Sequence, residues 1–427
     1  MKVSKAVSIS GEIDLPGDKS ISHRAAMFAA LADGTSVISN YATSVDCGST
    51  INCLRQLGVT IRQDGSTMIV EGVGRNGFTA PSGSLDCGNS GTTMRLLSGI
   101  LAGQDFESVM IGDESLSVRP MKRVLIPLTA MGANVDSVDG HAPITIRGGQ
   151  IDAIEYTPPV ASAQIKSCVL LAGLNANGKT TVVEHSATRD HTERMLRWFG
   201  ADVEQEGPQI SLTGPCDLRS RDLTVPGDAS SAAFFMVAAA CLDGSHLTIK
   251  NVGLNPTRIG FVRVMSELGV DMTIEDERIS CNEPVGSITI RGHRERLESS
   301  ANVIEGPIIA NLIDELPVLA VLGTKLEGGI EVRGAAELRV KESDRIAAVV
   351  QNLRLMGAAA EEFRDGFRIE RSDLNGAAVK SYGDHRIAMA FAVAGLLAEG
   401  ETTIEGAECA DVSFPAFFPT LSNIVSS

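Results

Sequence analysis

One pattern recurs along the 427 residues and limits what they can fold into. It is a Gly/Asp or Gly/Asn turn, an Ala-rich apolar run, a Gly and a β-branched strand, then an amphipathic helix that ends on Gly before another strand. First halves of this unit begin near Gly17, Gly88, Ala161, Gly227, Ile313 and Gly383. The period is roughly 70 residues, broken by one longer interval where we place an insertion near Glu295 to Gly306. Second helices are predicted over Thr50 to Leu57, Met121 to Met131, Thr192 to Phe199, Ile259 to Leu268 and Ser343 to Met356. Each closes on a glycine (Gly58, Gly132, Gly200, Gly269, Gly357), the residue suited to a left-handed position after a helix. The sixth copy ends early, in Ser413-Phe414-Pro415.

The Ala-rich runs have no polar face, so the helices they form must be buried all round and covered by sheets. Strands and helices in this order give an α/β (α+β) architecture. A chain of this length exceeds what one core serves. The twinned turns Pro16-Gly17-Asp18 and Pro226-Gly227-Asp228 divide the units into two groups of three. One domain is assigned to 18–226, and the other to 1–17 plus 227–427, which includes a first strand from Val3 to Leu15. Hinge crossings fall near 16–18 and 226–228.

The first turn continues as Lys19-Ser20-Ile21-Ser22-His23-Arg24, which reads as an anion site at a helix start. Asp18 or Ser20 can cap the first backbone N–H groups, while Lys19 and Arg24 add charge where the helix dipole already favours an anion. The second Pro-Gly-Asp turn keeps the cap and lacks these basic residues. Other unit starts carry Arg95 and Arg119, Lys166 and Arg189, Lys341 and Arg345, and Arg386. In a chain of net charge −16, cations grouped at helix starts oppose the dipole unless an anion is bound. The set predicts a site for several phosphate or carboxylate groups. The densest part is Arg339-Val340-Lys341-Glu342-Ser343-Asp344-Arg345. Read as a helix start, it puts Lys341 and Arg345 on one face and Glu342 and Arg345 on an adjoining one. Asp314 opens the apolar run Leu316 to Ala320 and is a candidate base.

Several function classes drop out. Acidic charge and only 4% aromatic residues exclude a general nucleic-acid binder. Gly72-Val73-Gly74-Arg75-Asn76-Gly77 matches a dinucleotide fingerprint as a string, but Phe78 to Gly83 cannot open the helix that pyrophosphate needs, so it reads as a turn. The seven histidines have no metal spacing, and His191 and His385 read as hydrogen-bonding residues at helix starts. The eight cysteines contain no Cys-x-x-Cys pair and read as reduced thiols, which places the protein in the cytoplasm. The sequence has neither a signal-peptide core nor 18 uninterrupted apolar residues, so a soluble, unprocessed protein is expected.

Taken together, Leu15 to Arg24, Gly88-Asn89-Ser90-Gly91-Thr92, Arg119-Pro120-Met121, Arg339 to Arg345 and Asp384-His385-Arg386 resemble the 3-phosphoshikimate 1-carboxyvinyltransferase (EPSP synthase) family along the whole chain. Ala161-Ser162-Ala163-Gln164 and Thr188-Arg189-Asp190-His191-Thr192 resemble its bacterial class with glyphosate-tolerant members. The resemblance implies two similar domains, each of three βαβαββ repeats around buried helices as an inside-out α/β barrel, closing over substrate at a double-stranded hinge. It implies transfer of the enolpyruvyl group of phosphoenolpyruvate to the 5-hydroxyl of shikimate 3-phosphate, with release of phosphate. It further implies no cofactor and no metal, small-molecule partners only, no nucleic acid, no membrane, and a monomer.

Carried over residue by residue, the resemblance assigns shikimate 3-phosphate to Lys19, Ser20, Arg24, Ser162, Ala163, Gln164, Arg189, Asp314 and Lys341. It assigns phosphoenolpyruvate to Lys19, Gly91, Arg119, Gln164, Arg345 and Arg386. Asp314 would take the hydroxyl proton, Glu342 would protonate the methylene carbon and later deprotonate the methyl, and Lys19 would steady the departing phosphate. Two cations beside Glu342 favour its ionised form, the wrong one for an acid, so bound anions and closure must restore its proton. One departure is Val412, which stands where many members carry a lysine that reaches phosphoenolpyruvate. Gly91 keeps the small residue where an added methyl would crowd glyphosate. The rival is the sister transferase acting on UDP-N-acetylglucosamine, which usually carries a reactive cysteine in the region that here spans Gly112 to Pro120 and has none.

Overall fold

Each Ala-rich run forms a helix with no solvent-facing side. Every residue is buried in the helices Ala229–Cys241, Leu316–Gly323 and His385–Leu397, and in Lys19–Leu31 burial is complete from Ile21 onward. Gly91–Ala102 and Ala163–Gly173 complete the set of six buried helices. In this computed structural model residues 1–293, 297 and 302–426 are described. Of the insertion expected near Glu295 to Gly306, residues 295, 296 and 298–301 fall outside them.

The chain divides into two compact units, Gly17–Val225 with Ser280–Glu283, and Met1–Pro16 with Pro226–Ile279 and Pro284–Ser427. In the first, each repeat gives one sheet in which a short strand lies parallel to the long strand that follows the buried helix, and an antiparallel hairpin adds to the other edge. Leu85–Asp86, Glu107–Ile111, His141–Arg147 and Asn134–Val138 follow that order, as do Glu155–Tyr156, Gly178–Val183, Gln209–Gly214 and Val203–Glu206. The first repeat takes its short strands from the far end of the unit: Leu218–Arg219 and Leu223–Thr224 run parallel to Ala32–Ser39.

The second unit repeats the order twice and then departs from it. The expected single strand from Val3 to Leu15 is two strands in different sheets. Lys2–Ser4 pairs antiparallel with Glu401–Glu405, filling the place of the hairpin that the shortened sixth copy lacks. Ser8–Asp14 runs parallel to His246–Gly253, as the short first strand of the fourth copy. No sheet closes on itself among the described residues, so the inside-out barrel of the expectation is realised as six separate open sheets.

The outer helices are Val45–Gln56, Lys122–Ala130, His191–Trp198, Gly260–Glu267 and Arg345–Leu355. The first starts five residues before its expected position, because Ser44 caps it by accepting from the Cys47 N–H. Their closing glycines have φ of +91° (Gly58), +99° (Gly132), +93° (Gly200), +87° (Gly269) and +88° (Gly357), the conformation expected of them. The Gly72 to Gly77 string ends a strand in a turn, and no helix opens after it. No single described helix is long and apolar enough to cross a membrane.

Gly99 shows how tightly the buried helices meet. A Cβ built there would stand 2.2 Å from the carbonyl oxygen of Cys168 in the helix Ala163–Gly173, backbone against backbone, so neither side can yield cheaply. Gly48, inside the helix Val45–Gln56, has nothing within 4 Å of such an atom. Gly99→Ala is therefore expected to destabilise the protein by about 1–3 kcal/mol. Gly48→Ala should stabilise it by about 0.5–1 kcal/mol. Urea midpoints that shift in the same direction for both variants would contradict this packing.

Candidate active site

A buried helix must still satisfy the N–H groups of its first turn, and the six buried starts do so differently in the two units. In the Gly17–Val225 unit the caps are Asp18, Ser90 and Ser162, whose side chains accept from the N–H groups of Ile21, Thr93 and Ile165. In the other unit the residues at the cap position are all acidic: Asp228 and Asp384 accept from the N–H groups of Ser230 and Arg386, and Glu315 makes no side-chain cap bond. A neutral cap leaves the positive end of the helix for an external anion, whereas a carboxylate at the cap already occupies it.

Within the Gly17–Val225 unit, Lys19 Nζ lies 2.9 Å from Asp46 Oδ2. Arg24, expected to face a ligand, is only 3% exposed. It donates from Nε to Thr192 Oγ1 at 2.7 Å, from Nη2 to Ser167 Oγ at 2.7 Å and from Nη1 to the Ser20 carbonyl at 2.9 Å. Burial pulls its pKa down to about 10, with Glu193 and Asp18 opposing the shift and the nearby Arg189 adding to it, so it stays charged at neutral pH. Arg119 donates to Asn89 Oδ1 at 2.8 Å and to Ser115 Oγ at 3.0 Å, beside the start that carries Gly91. Gln164 is fixed at both ends: Arg95 Nη1 donates to its Oε1 at 2.8 Å, and its Nε2 donates to Thr92 Oγ1 at 3.0 Å. Ser162, Ala163 and Gln164 are half-buried where the helix Ala163–Gly173 begins.

Lys166 corrects an expectation. Grouped by sequence with the ligand-facing cations, it is 1% exposed and pairs with Glu193 at 2.6 Å and Glu184 at 3.0 Å. Burial raises the pKa of Glu193 even though Lys166 pulls it down. The lysine neutralises carboxylates inside the fold and does not reach for an anion.

In the other unit one guanidinium organises the constellation. Arg345, 1% exposed, places Nε 2.7 Å from Asp384 Oδ2, Nη2 2.6 Å from Glu342 Oε2 and Nη1 3.3 Å from Asp314 Oδ1. Burial opposes its charge, but Asp384, Glu342 and Asp314 together push its pKa above the ordinary value. Arg386 lies 3.7 Å from both Asp314 Oδ1 and Glu315 Oε1, and donates to the Asp314 carbonyl at 3.0 Å. Asp314 sits in the turn before the helix Leu316–Gly323. Lys341 has its pKa lowered by burial, with the Asp314 charge opposing.

Two further expectations change here. The Arg339 to Arg345 stretch is not a helix start throughout: Ala336–Val340 is a 3-10 turn, 341–344 is irregular, and the helix begins at Arg345 behind its cap Asp344. The aspartate prefers the cap position because its carboxylate accepts from the Ala347 N–H. Lys341 and Glu342 therefore reach the site from a loop, and Arg339 turns outward to Asp344 and Glu362. The second Pro-Gly-Asp turn does not lack charge either. Arg258 lies 3.5 Å from Asp228 and 3.1 Å from Glu315, and Ser230 bonds to both Arg258 and Glu315. Arg258 was absent from the sequence-based set, although Asn255-Pro256-Thr257-Arg258 is a turn signal ahead of the outer helix of the fourth copy, the one copy for which no cation had been assigned.

One unit offers helix starts with adjacent cations suited to polyanions; the other holds Asp314, Glu342 and Asp384 against one buried arginine, with Arg386 beside them, a set that can both bind anions and exchange protons with a bound molecule.

The sequence profile of the family described as EPSP synthase (3-phosphoshikimate 1-carboxyvinyltransferase) matches residues 3–421. A protein of Geobacillus kaustophilus named 3-phosphoshikimate 1-carboxyvinyltransferase is 50% identical over 98% of this chain and 98% of its own. One of Solibacter usitatus with the same name is 50% identical over 99% of each. Among solved structures, EPSP synthase from Acinetobacter baumannii superposes with a TM-score of 0.89 at 43% identity, covering 99% of this chain and 97% of that one.

Removing Lys166 tests the buried pairing. Lys166→Met leaves Glu193 and Glu184 without their cation and is expected to cost about 3–5 kcal/mol near pH 8. Glu193 has a native pKa above its unfolded value, so its favourable term is complete below the unfolded value and is lost as pH rises through the native one. The deficit should therefore shrink on acidification to about pH 5. Urea unfolding of both proteins across that range measures it, and a pH-independent deficit would refute the assignment.

Proposed function

The chain belongs to the EPSP synthase family, and from that premise we propose how its side chains divide the reaction. It is an enzyme that transfers the enolpyruvyl group of phosphoenolpyruvate to the 5-hydroxyl of shikimate 3-phosphate in the shikimate pathway. The hydroxyl oxygen adds to C2 of phosphoenolpyruvate as C3 takes a proton; the tetrahedral adduct then loses phosphate from C2 as C3 returns a proton. Both substrates are small polyanions.

In our reading, Lys19, Ser20, Arg24, Ser162, Ala163, Gln164, Arg189 and Lys341 hold shikimate 3-phosphate, with Arg24 acting mainly through its field and its grip on the Ser20 carbonyl. Phosphoenolpyruvate is held by Lys19, Gly91, Arg119, Gln164, Arg345 and Arg386. Arginine suits this work because its planar fork meets carboxylate and phosphate oxygens in pairs. Asp314 accepts the hydroxyl proton, Glu342 serves C3 in both steps, and Lys19 releases Asp46 to steady the departing phosphate. We assign the hinge to the crossings at Pro16 and Pro226, the protein to the cytoplasm, and its working state to a monomer. The observation that carries the reading is the Arg345 guanidinium, which holds Glu342 and Asp314 at 2.6 and 3.3 Å and so keeps the acid and the base in one place. The sister transferase is not favoured: Gly112 to Pro120 folds around the short helix Glu114–Ser117 and carries no thiol.

Phosphate release from phosphoenolpyruvate, followed with a chelator present, should require shikimate 3-phosphate. Glu342→Gln should lower turnover by at least about a hundredfold, the usual worth of a positioned acid. Release without the second substrate, or full activity in the variant, would sink the respective assignment. Gly91→Ala should weaken glyphosate inhibition, because the added Cβ would stand 2.7 Å from Arg95 Nη1 and displace the group that orients Gln164. An unchanged inhibition constant would count against the placement of Gly91.

A further inference from the structure

Four polar side chains beneath the two helix starts of the Gly17–Val225 unit take no part in the reaction as assigned. His23, on the helix Lys19–Leu31, places Nδ1 2.7 Å from Thr50 Oγ1. Thr50, on the helix Val45–Gln56, lies 2.7 Å from Thr93 Oγ1. Thr93 in turn donates from Oγ1 to Ser90 Oγ at 2.8 Å and from its backbone N–H to the same oxygen at 3.1 Å. His23, Thr50 and Thr93 are fully buried and Ser90 is 1% exposed. The line thus joins the helix that carries Lys19, Ser20 and Arg24 to the cap of the helix that begins at Gly91.

Its direction can be worked out. Burial, then the charges of Lys19 and Arg24, push the His23 pKa well below its ordinary value, so the ring is neutral and has one N–H. Nε2 has no hydrogen-bond partner among the described residues. An orphaned N–H costs more than an orphaned lone pair, so the network assigns the proton to Nδ1. From there each hydroxyl accepts from the one before it and donates to the next: His23 to Thr50, Thr50 to Thr93, Thr93 to Ser90. Ser90 Oγ accepts twice, and its own proton is directed away from the line.

We propose that His23 is a positioning residue for phosphoenolpyruvate: through Thr50 and Thr93 it orients the Ser90 cap, and with it the helix start at Gly91, relative to the helix that carries Lys19. The inference rests on the reading that the Gly91 start receives phosphoenolpyruvate. Were the ring protonated on Nε2 instead, every hydroxyl would have to reverse, and Ser90 could no longer accept from the Thr93 hydroxyl while presenting its own proton outward.

Three variants and one spectrum test this. Asparagine can place an amide N–H where histidine has Nδ1–H, whereas leucine cannot, and Thr50→Val cuts the line in its middle. His23→Leu and Thr50→Val should each raise KM for phosphoenolpyruvate about five- to tenfold, the loss expected of one oriented hydrogen bond. KM for shikimate 3-phosphate should change less than about twofold, and His23→Asn should restore the first value to near that of the unaltered enzyme. Folded leucine and valine variants with unaltered KM for phosphoenolpyruvate, or an asparagine variant as impaired as the leucine one, would overturn the proposal. The 15N spectrum of imidazole-labelled unaltered enzyme needs no variant to fold: it should show His23 protonated at Nδ1, and protonation at Nε2 would overturn the proposal. If the unaltered enzyme fails to release phosphate with both substrates, the functional reading fails by itself, and the spectrum still reports on the line.

Discussion

A helix with apolar side chains on every face gains most when it is wholly surrounded, but its first N–H groups then have no water to turn to. That tension governs this protein more than any single contact. The helix Ala229–Cys241, buried at every residue, has to bring its own acceptor, and Asp228 supplies it. Repeated six times, the same need is met by five side-chain caps, and Glu315 makes no such bond. Their chemistry then influences what gathers around each start: a serine leaves the helix field open, and the three carboxylates of the Pro226–Ser427 half each draw an arginine. Arg258, Arg345 and Arg386 all lie within salt-bridge distance of the acidic caps or of the turn beside them. The choice of cap thus shapes what stands at each helix start: serines at Ser90 and Ser162 in one unit, and Asp228 and Asp384 beside arginines in the other.

Arg345 shows what such an arrangement costs and provides. A guanidinium at 1% exposure has lost nearly all its hydration, a penalty of several kcal/mol that only well-placed carboxylates can offset. Asp384, itself fully buried, does most of this through Nε at 2.7 Å, and so leaves Nη1 and Nη2 directed at Asp314 and Glu342. An arginine anchored on one edge is a rigid support for groups that must hold position during proton transfer, and side chains locked in this way keep a reactive geometry better than mobile ones.

How much of this was legible in the sequence depends on the range of the interaction. The closing glycines could be read because a left-handed φ is a local demand: Gly58 and Gly357 answer to three or four neighbours in the chain. The helix starts at Asp18 and Asp384 could be read for the same reason. The partners of Lys166 could not. Glu184 and Glu193 lie 18 and 27 positions away, and only the packing of the third repeat brings them under the helix. The same holds for Thr192 and Ser167, whose hydroxyls accept from Arg24 within the fold. Arg258 escaped notice because it stands after its turn and not at the head of a buried helix, where the other cations had been found.

The charge on Glu342 closes the argument. Held at 2.6 Å by Arg345, the carboxylate is favoured in the form that cannot donate a proton, although the role we propose for it begins with protonation of C3. In the proposed reading the substrates resolve the conflict. Phosphoenolpyruvate brings a carboxylate and a phosphate to the same arginines, and each bidentate contact it makes withdraws a share of the positive field from Glu342. Water displaced by the two polyanions removes the solvation that favours the carboxylate. Both effects raise the proton affinity of Glu342, and both act only when the reacting carbon is present. In our proposal the arginine that pairs with Glu342 is thus also the group through which substrate binding returns a proton to it.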